Sequence, residues 1–131
     1  MSFDIPGFCR YLRANVSPAQ FGVGQCARYV RVALAHAGLV PASHPVSAKD
    51  WGPTLESLGF RPTDSDGSDA RAGDVAVIEP PRGERHGHIA GFDGTNWISD
   101  FVQMRGLYPG PAYREQRVPF VVYRWDAQPP A

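Results

Sequence analysis

The sequence has only two cysteines and no apolar run near the roughly 20 residues that a membrane span needs. It also lacks a charge excess, because acidic and basic residues balance at 13 each. The chain therefore has no net charge that would attract it to nucleic acid or to an anionic membrane, and we expect neither partner. With no repeat or low-complexity tract and 43% hydrophobic residues, the chain has a globular composition. We predict a single domain over residues 1–131.

The N-terminal segment MSFDIPGFCRYLRANV contains an acid at Asp4 and no uninterrupted apolar core, so we expect no signal peptide. Action outside the cytoplasm would then require another export route. Cys9 and Cys26 could form only one disulfide. Without an export signal, Cys9 is better interpreted as a small core residue on the first helix.

Periodicity and turn residues divide the chain into helices first and strands later. Ser47 is expected to cap the third helix, with Asp50 in the capping-box position and Gly59 ending it. Residues 61–72 are predicted to be a polar loop. The predicted helices cover residues 3–15, 25–37 and 47–58, and the predicted strands cover residues 74–78, 88–92, 97–101 and 118–125. This order predicts an α+β domain in which N-terminal helices pack on an antiparallel β-sheet.

The stretch GVGQCARYV places Cys26 in the first turn of the second helix, after two glycines. Unpaired amides and the positive end of the helix dipole favour an anion there. Such a position lowers the pKa of a thiol and makes it nucleophilic, and the glycines let a substrate backbone come close. The alternative is a buried cysteine that packs as a hydrophobic residue.

His88 begins a predicted strand in which alternation places it on one face with Ala90 and Phe92. It could be a core histidine, a metal ligand or a catalytic base. Asp100, expected in the neighbouring strand, could orient the imidazole or be a solvated acid at the strand end. For Asp100 to share the face of His88, the hairpin around Asp93 needs an odd-length loop or a bulge, which we predict.

The segments GQCARYVRVAL, ARAGDVAVI and GHIAGFDGTNWISD together resemble the papain-like peptidoglycan hydrolases, which include NlpC-type peptidases and CHAP domains. The resemblance covers roughly residues 20–102. It implies a papain-like fold with Cys26 as nucleophile, His88 as base and Asp100 as orienting acid. It implies cleavage of an amide bond in peptidoglycan stem peptides, without a metal or cofactor. Gln20, six residues before the cysteine, is a candidate oxyanion donor by analogy with papain-type proteases.

Within that group, the small size and the absence of wall-binding repeats resemble the amidase effectors of bacterial type VI secretion. That resemblance implies delivery from the producing cytoplasm into the periplasm of a rival cell, and a cognate immunity protein as inhibitor. A phage endolysin with the same chemistry is the alternative within this class.

Two hypotheses that assign the chain to other functional classes remain. The same three residues could serve a thiol acyltransferase or a deamidase, since fold does not fix the acceptor. His86 and His88 could instead mark a non-enzymatic metal-binding β-domain. Four aromatic residues are candidates either for the walls of a substrate groove or for the core: Trp51, Trp97, Phe101 and Tyr108.

Overall fold

Four α-helices and a six-stranded antiparallel sheet form the described part of the chain, which is residues 2–19, 22 and 24–126 of a computed structural model. The helices are α1 (Ile5–Ala14), α2 (Cys26–His36), α3 (Gly52–Leu58) and α4 (Pro111–Gln116), with a short 3-10 helix at Ala48–Asp50. The strands are β1 (Phe60–Pro62), β2 (Val75–Ile78), β3 (His88–Phe92), β4 (Trp97–Ile98), β5 (Val102–Gln103) and β6 (Phe120–Trp125). The predicted α+β class is confirmed. None of the helices in these residues is long and apolar enough to cross a membrane.

The sheet has the strand order β1-β6-β2-β3-β4-β5, so β2 and β3 lie at its centre. Alternate residues of these strands face two apolar clusters. Val75, Val77 and Ile89 pack with α1, α2 and α3 on one face. On the other face, Ala76 and Ala90 pack with residues from 107 to 118, including Tyr113 of α4. The N-terminal helices therefore cover one side of the sheet, as predicted.

Local sequence explains how α1 reaches the sheet. Asp4 caps the helix by accepting a hydrogen bond from the Gly7 amide at 3.0 Å. Phe8 and Leu12 then face the centre of the sheet at Gly91, where a Cβ would lie only 2.6 Å from the Phe8 ring. Glycine at position 91 is what allows this close packing of helix and strand. Cys9 is buried on the same helix, and both cysteines are free.

Several short elements differ from those predicted from the sequence. The predicted helix over 47–58 is divided into the 3-10 helix and α3, and Ser47 makes no capping hydrogen bond. Its hydroxyl lies 2.6 Å from Nδ1 of His86 instead. Gly59 ends α3 as predicted, with φ of +110°. The elements β1, β5 and α4 were not predicted, because elements of two to six residues show too little periodicity.

The hairpin between β3 and β4 is regular. Gly91 pairs with Ile98 and Phe92 with Trp97, and the Asp93 amide donates to the Asn96 carbonyl at 3.1 Å. The prediction of an odd-length loop or a bulge is therefore wrong. The strand predicted over 97–101 ends at Ile98, since the chain turns sharply at residues 99–101 into β5.

A buried ion pair joins the start of β2 to β6. Both carboxylate oxygens of Asp74 accept from Arg124, at 3.0 Å from Nε and 2.8 Å from a terminal nitrogen. The Arg71 amide also donates to Asp74 at 2.9 Å. The Asp74 side chain is only 1% exposed, so the guanidinium provides most of the compensation for burying its charge.

Candidate active site

A cleft of about 910 Å³ opens where the N-terminus of α2 meets the start of β3. Its lining includes all three residues predicted to be catalytic, Cys26, His88 and Asp100. Strand β4 pairs with β3 only at Gly91 and Phe92, so among the described strands none lies beside the first residues of β3 on that edge. The cleft occupies this position, and its volume is within the range typical of ligand sites.

Cys26 is the first residue of α2, and its side chain is partly buried in the cleft wall. Burial raises the pKa of the Cys26 thiol, and the nearby Asp100 carboxylate raises it further. Backbone amides of Ile89, Ala27 and Cys26 itself act in the opposite direction, but they do not outweigh the burial. This shift is opposite to the expected depression of the thiol pKa, since burial favours the neutral thiol over the thiolate. Because the backbone amide of Ile89 is close enough to lower the pKa of the thiol, the sulfur lies beside the start of β3.

His88 is buried, and its ring lies between the aromatic rings of Phe101 and Tyr113, with centroids 6.4 and 6.2 Å away. Its Nε2 is 2.8 Å from Oε1 of Gln103. Burial lowers the pKa of His88, although Gln103 and the Asp100 charge partly offset this. The imidazole is therefore neutral at rest, with one protonated and one unprotonated nitrogen.

Gln103 determines which nitrogen carries the proton. Its amide nitrogen donates to the carbonyls of Gly106 at 3.1 Å and Leu107 at 2.8 Å. Carbonyl oxygens only accept, so the amide nitrogen must face them and Oε1 must face His88. Oε1 can only accept, which requires a proton on Nε2. Nδ1 of the neutral imidazole is consequently the basic nitrogen.

Asp100 lies in the cleft, but the hydrogen bonds described for its side chain are not to the imidazole. Its Oδ2 accepts from the Gln25 amide at 3.0 Å, and its Oδ1 accepts from the Ser99 hydroxyl at 3.3 Å. Its backbone carbonyl accepts from the Ser17 amide at 2.7 Å. The hydrogen bond described for the imidazole is to Gln103, and Asp100 lies in the turn after β4 rather than in the neighbouring strand where it was expected.

Asp100 instead holds the chain that leads into Cys26. Ser17 and Gln25 lie near the two ends of the segment that joins α1 to α2, and the backbone amides of both donate to Asp100. Gly22 has φ of +75°, and a Cβ there would lie 2.5 Å from the Asp100 carboxylate. A side chain at position 22 would therefore displace the carboxylate from the helix N-terminus.

Gln103 is the site residue that the sequence analysis missed. It pairs with Trp97, which pairs with Phe92, so all three lie on the sheet face of His88. A signal was present, since Gln103 is a polar residue between the apolar residues Val102 and Met104. Assigning Gln103 to the site from the sequence would have required knowing that the chain turns at residues 99–101. Gln20, the candidate oxyanion donor, lies outside the described residues.

The remaining candidates have clear positions. Phe101 lines the cleft, whereas Trp51 and Trp97 belong to the apolar clusters. His86 lines the cleft but bonds to Ser47, and His88 bonds to Gln103, so the two imidazoles have separate partners. Within residues 2–19, 22 and 24–126, no three His, Cys, Asp or Glu side chains are grouped as a metal site. Nor does a direct hydrogen bond join the Cys26 sulfur to His88 among these residues.

The comparisons with known proteins point to one kind of protein. The chain is similar to a protein in the crystal structure of the type VI effector–immunity complex Tae3-Tai3 from Ralstonia pickettii, with 40% identity and a TM-score of 0.87. The match covers 95% of this chain and 100% of the other. The selenomethionine form of that complex gives 42% identity and a TM-score of 0.82, covering 90% and 99% of the two chains. No family model and no curated protein matched the sequence.

Proposed function

The chain belongs to the Tae3 family of type VI effectors, and on this premise we propose that it is a cysteine-dependent peptidoglycan amidase or endopeptidase. The substrate is an amide bond in a murein stem peptide. One observation carries the assignment of the chemistry: Cys26 and His88 line the same cleft, and Gln103 leaves Nδ1 of His88 as the basic nitrogen. A thiol and a base facing one substrate-sized cleft are the minimum machinery for acyl transfer through a thioester.

The reaction begins from a neutral pair. As the thiol of Cys26 attacks the substrate carbonyl, its proton passes to Nδ1 of His88, and a carbon–sulfur bond forms. The resulting imidazolium is stabilised by the hydrogen bond from Nε2 to Gln103 and by the charge of Asp100. Catalytic hydrogen bonds often tighten only when substrate binds, so a direct bond between sulfur and imidazole is not required at rest.

Breakdown of the tetrahedral intermediate uses the same proton. His88 transfers it to the leaving amine, which breaks the carbon–nitrogen bond and leaves a thioester on Cys26. Water, deprotonated by His88, then hydrolyses the thioester and restores the thiol. Amides at the start of α2, including that of Cys26, are the proposed donors to the oxyanion. Each step is assigned to a side chain or amide of this chain, so the proposal includes no metal and no cofactor.

The order of the elements supports a papain-like arrangement of the NlpC/CHAP type in one domain. The cysteine opens a helix that packs on the sheet, and the histidine begins the central strand β3 behind it. Asp74, in the Gly-Asp-hydrophobic segment of the resemblance, is buried at the start of β2. These positions match the roles that the resemblance implies for Cys26 and His88.

The cellular role follows from the family. We place the protein among effectors that are delivered by type VI secretion into the periplasm of a rival bacterium, where they cut the cell wall. The solved relatives are effector–immunity complexes, and the corresponding partner here is a cognate immunity protein that blocks the cleft. Growth arrest on periplasmic expression, relieved by coexpression of that partner, is the expected result in cells.

Digestion of purified sacculi tests the activity. Wild-type protein should release fragments with a new free amine and a new carboxyl group, identified by mass spectrometry. Cys26→Ala and His88→Ala should release none, while the matched controls Cys9→Ala and His44→Ala should retain the activity, since His44 is exposed and does not line the cleft. Intact sacculi after treatment with folded wild-type protein would refute the proposal, as would full activity in Cys26→Ala. Transfer of the acyl group to an added amine in place of water would identify an acyltransferase.

A further inference from the structure

A second cavity adjoins the catalytic cleft. It has a volume of about 310 Å³ and lies between α1 and α2. Gln25 and Arg28 line both cavities, so these two residues lie at the boundary between them. The rest of the second cavity is lined by Tyr11, Asn15, Tyr29 and Val32. Arg28 therefore borders both the cleft that contains Cys26 and the second cavity.

Arg28 is an unusual residue for its position. It is the third residue of α2, in the first turn, where the positive end of the helix dipole disfavours a cation. No described carboxylate forms an ion pair with it, and its side chain is exposed. Helix stability alone does not explain an arginine here. Its guanidinium is available to a ligand at the junction of the two cavities.

The carboxylates of the cleft are already engaged. Glu84 accepts a hydrogen bond from the Tyr113 hydroxyl at 2.9 Å, and Asp100 accepts from the Gln25 amide at 3.0 Å. Arg85, the other arginine of the lining, also has no ion pair with a described carboxylate. Both carboxylates of the lining thus accept hydrogen bonds from the protein, whereas no described ion pair involves either arginine. A planar guanidinium is well suited to bidentate binding of a carboxylate.

We propose that Arg28 determines specificity by binding a carboxylate of the substrate, and that the second cavity is the subsite for the residue that carries it. This inference rests on the proposed function, because peptidoglycan stem peptides supply the carboxylate. A D-glutamyl residue linked through its γ-carboxyl keeps a free α-carboxylate, and a diaminopimelate residue carries a further one. Both groups are carboxylates, and amidation of one of them neutralises that carboxylate while the other keeps its charge.

The test compares three soluble muropeptides: the free acid, the form amidated at the D-glutamyl α-carboxyl, and the form amidated at the diaminopimelate carboxyl. We would measure kcat/KM for wild type, Arg28→Gln, Arg28→Lys and the control Arg31→Gln. Arg31 lies on the same helix but lines neither cavity. Amidation of the recognised carboxylate should lower the wild-type value by about 10- to 100-fold, as expected for a charge-assisted hydrogen bond.

Arg28→Gln should show the same loss on the free acid, mainly through KM, and should no longer distinguish it from the amidated form. Arg28→Lys should retain part of the preference, and Arg31→Gln all of it. The amidated form that wild type discriminates against identifies the carboxylate. If wild type cleaves all three equally, or if Arg28→Gln keeps the wild-type preference, the role of Arg28 is refuted while the hydrolase assignment stands. If wild type cleaves none, both proposals fail.

Discussion

Gln103 accepts a hydrogen bond from His88 at 2.8 Å while its own amide nitrogen donates to two backbone carbonyls. The three bonds together fix the rotation of the glutamine amide, and with it the tautomer of the imidazole. A neutral amide can do this at a buried position without adding a second charge. Gln103 is therefore a positioning residue, which acts on the substrate only through His88.

Replacing Gln103 tests that role. Gln103→Ala should lower kcat by about 100-fold, the lower end of what general-base catalysis contributes, with little change in KM. Nitrogen-15 NMR of the His88 ring should show loss of the Nε2–H tautomer, which a purely structural defect would not cause. Gln116→Ala is the matched control, since that side chain bonds only the Arg82 amide among the described contacts. An unchanged tautomer in Gln103→Ala would contradict the assignment.

The pH dependence of the reaction should reflect a neutral pair. Burial holds the pKa of His88 below its ordinary value, so the imidazole remains an unprotonated base as the pH falls to about 6.5 and below. We expect kcat/KM to be level near neutrality and to decline only below about pH 6.5. Burial also raises the pKa of the Cys26 thiol, which disfavours a thiolate that could support activity at low pH. An acidic limb centred above pH 6.5 would contradict the lowered His88 pKa.

Asp100→Asn should move two pKa values in the same direction. The negative charge of Asp100 raises the pKa of both Cys26 and His88, so its removal should lower both. Asparagine can still accept the hydrogen bond from Gln25, which keeps the segment before Cys26 in place. The thiol pKa is measured from the pH dependence of alkylation by iodoacetamide, in a Cys9→Ala background that leaves one thiol. An unchanged alkylation profile would show that the carboxylate does not act on the sulfur.

The ion pair between Asp74 and Arg124 should stabilise the fold away from the site. Arg124→Met leaves a carboxylate that is 1% exposed without its main partner, and should lower the free energy of unfolding by about 3 kcal/mol. Arg61→Met is the control, because Arg61 pairs with Asp126 while 71% exposed and should cost less than about 1 kcal/mol. Urea denaturation measures the free energy of unfolding of both variants. Equal effects would mean that burial does not govern the strength of these pairs.

Local pattern was enough to locate the two residues that carry the proposed chemistry. The glycines before Cys26 and the helical period after it predicted that this cysteine opens a helix, which is confirmed. Alternation around His88 predicted the strand and the face shared with Ala90. Both predictions depend on signals within about ten residues, where backbone preference and side-chain period act directly.

The sequence determined the α+β class, the helix of Cys26 and the strand of His88, since these follow from short-range periodicity. Only the tertiary structure decided that Gln103 bonds the imidazole, because the turn at residues 99–101 sets which side chains of β5 lie on the sheet face of His88. It also decided the direction in which the pKa of the Cys26 thiol shifts. Helix position alone favours the anion, but desolvation by surrounding side chains favours the neutral form, and the outcome depends on packing between residues distant in the chain.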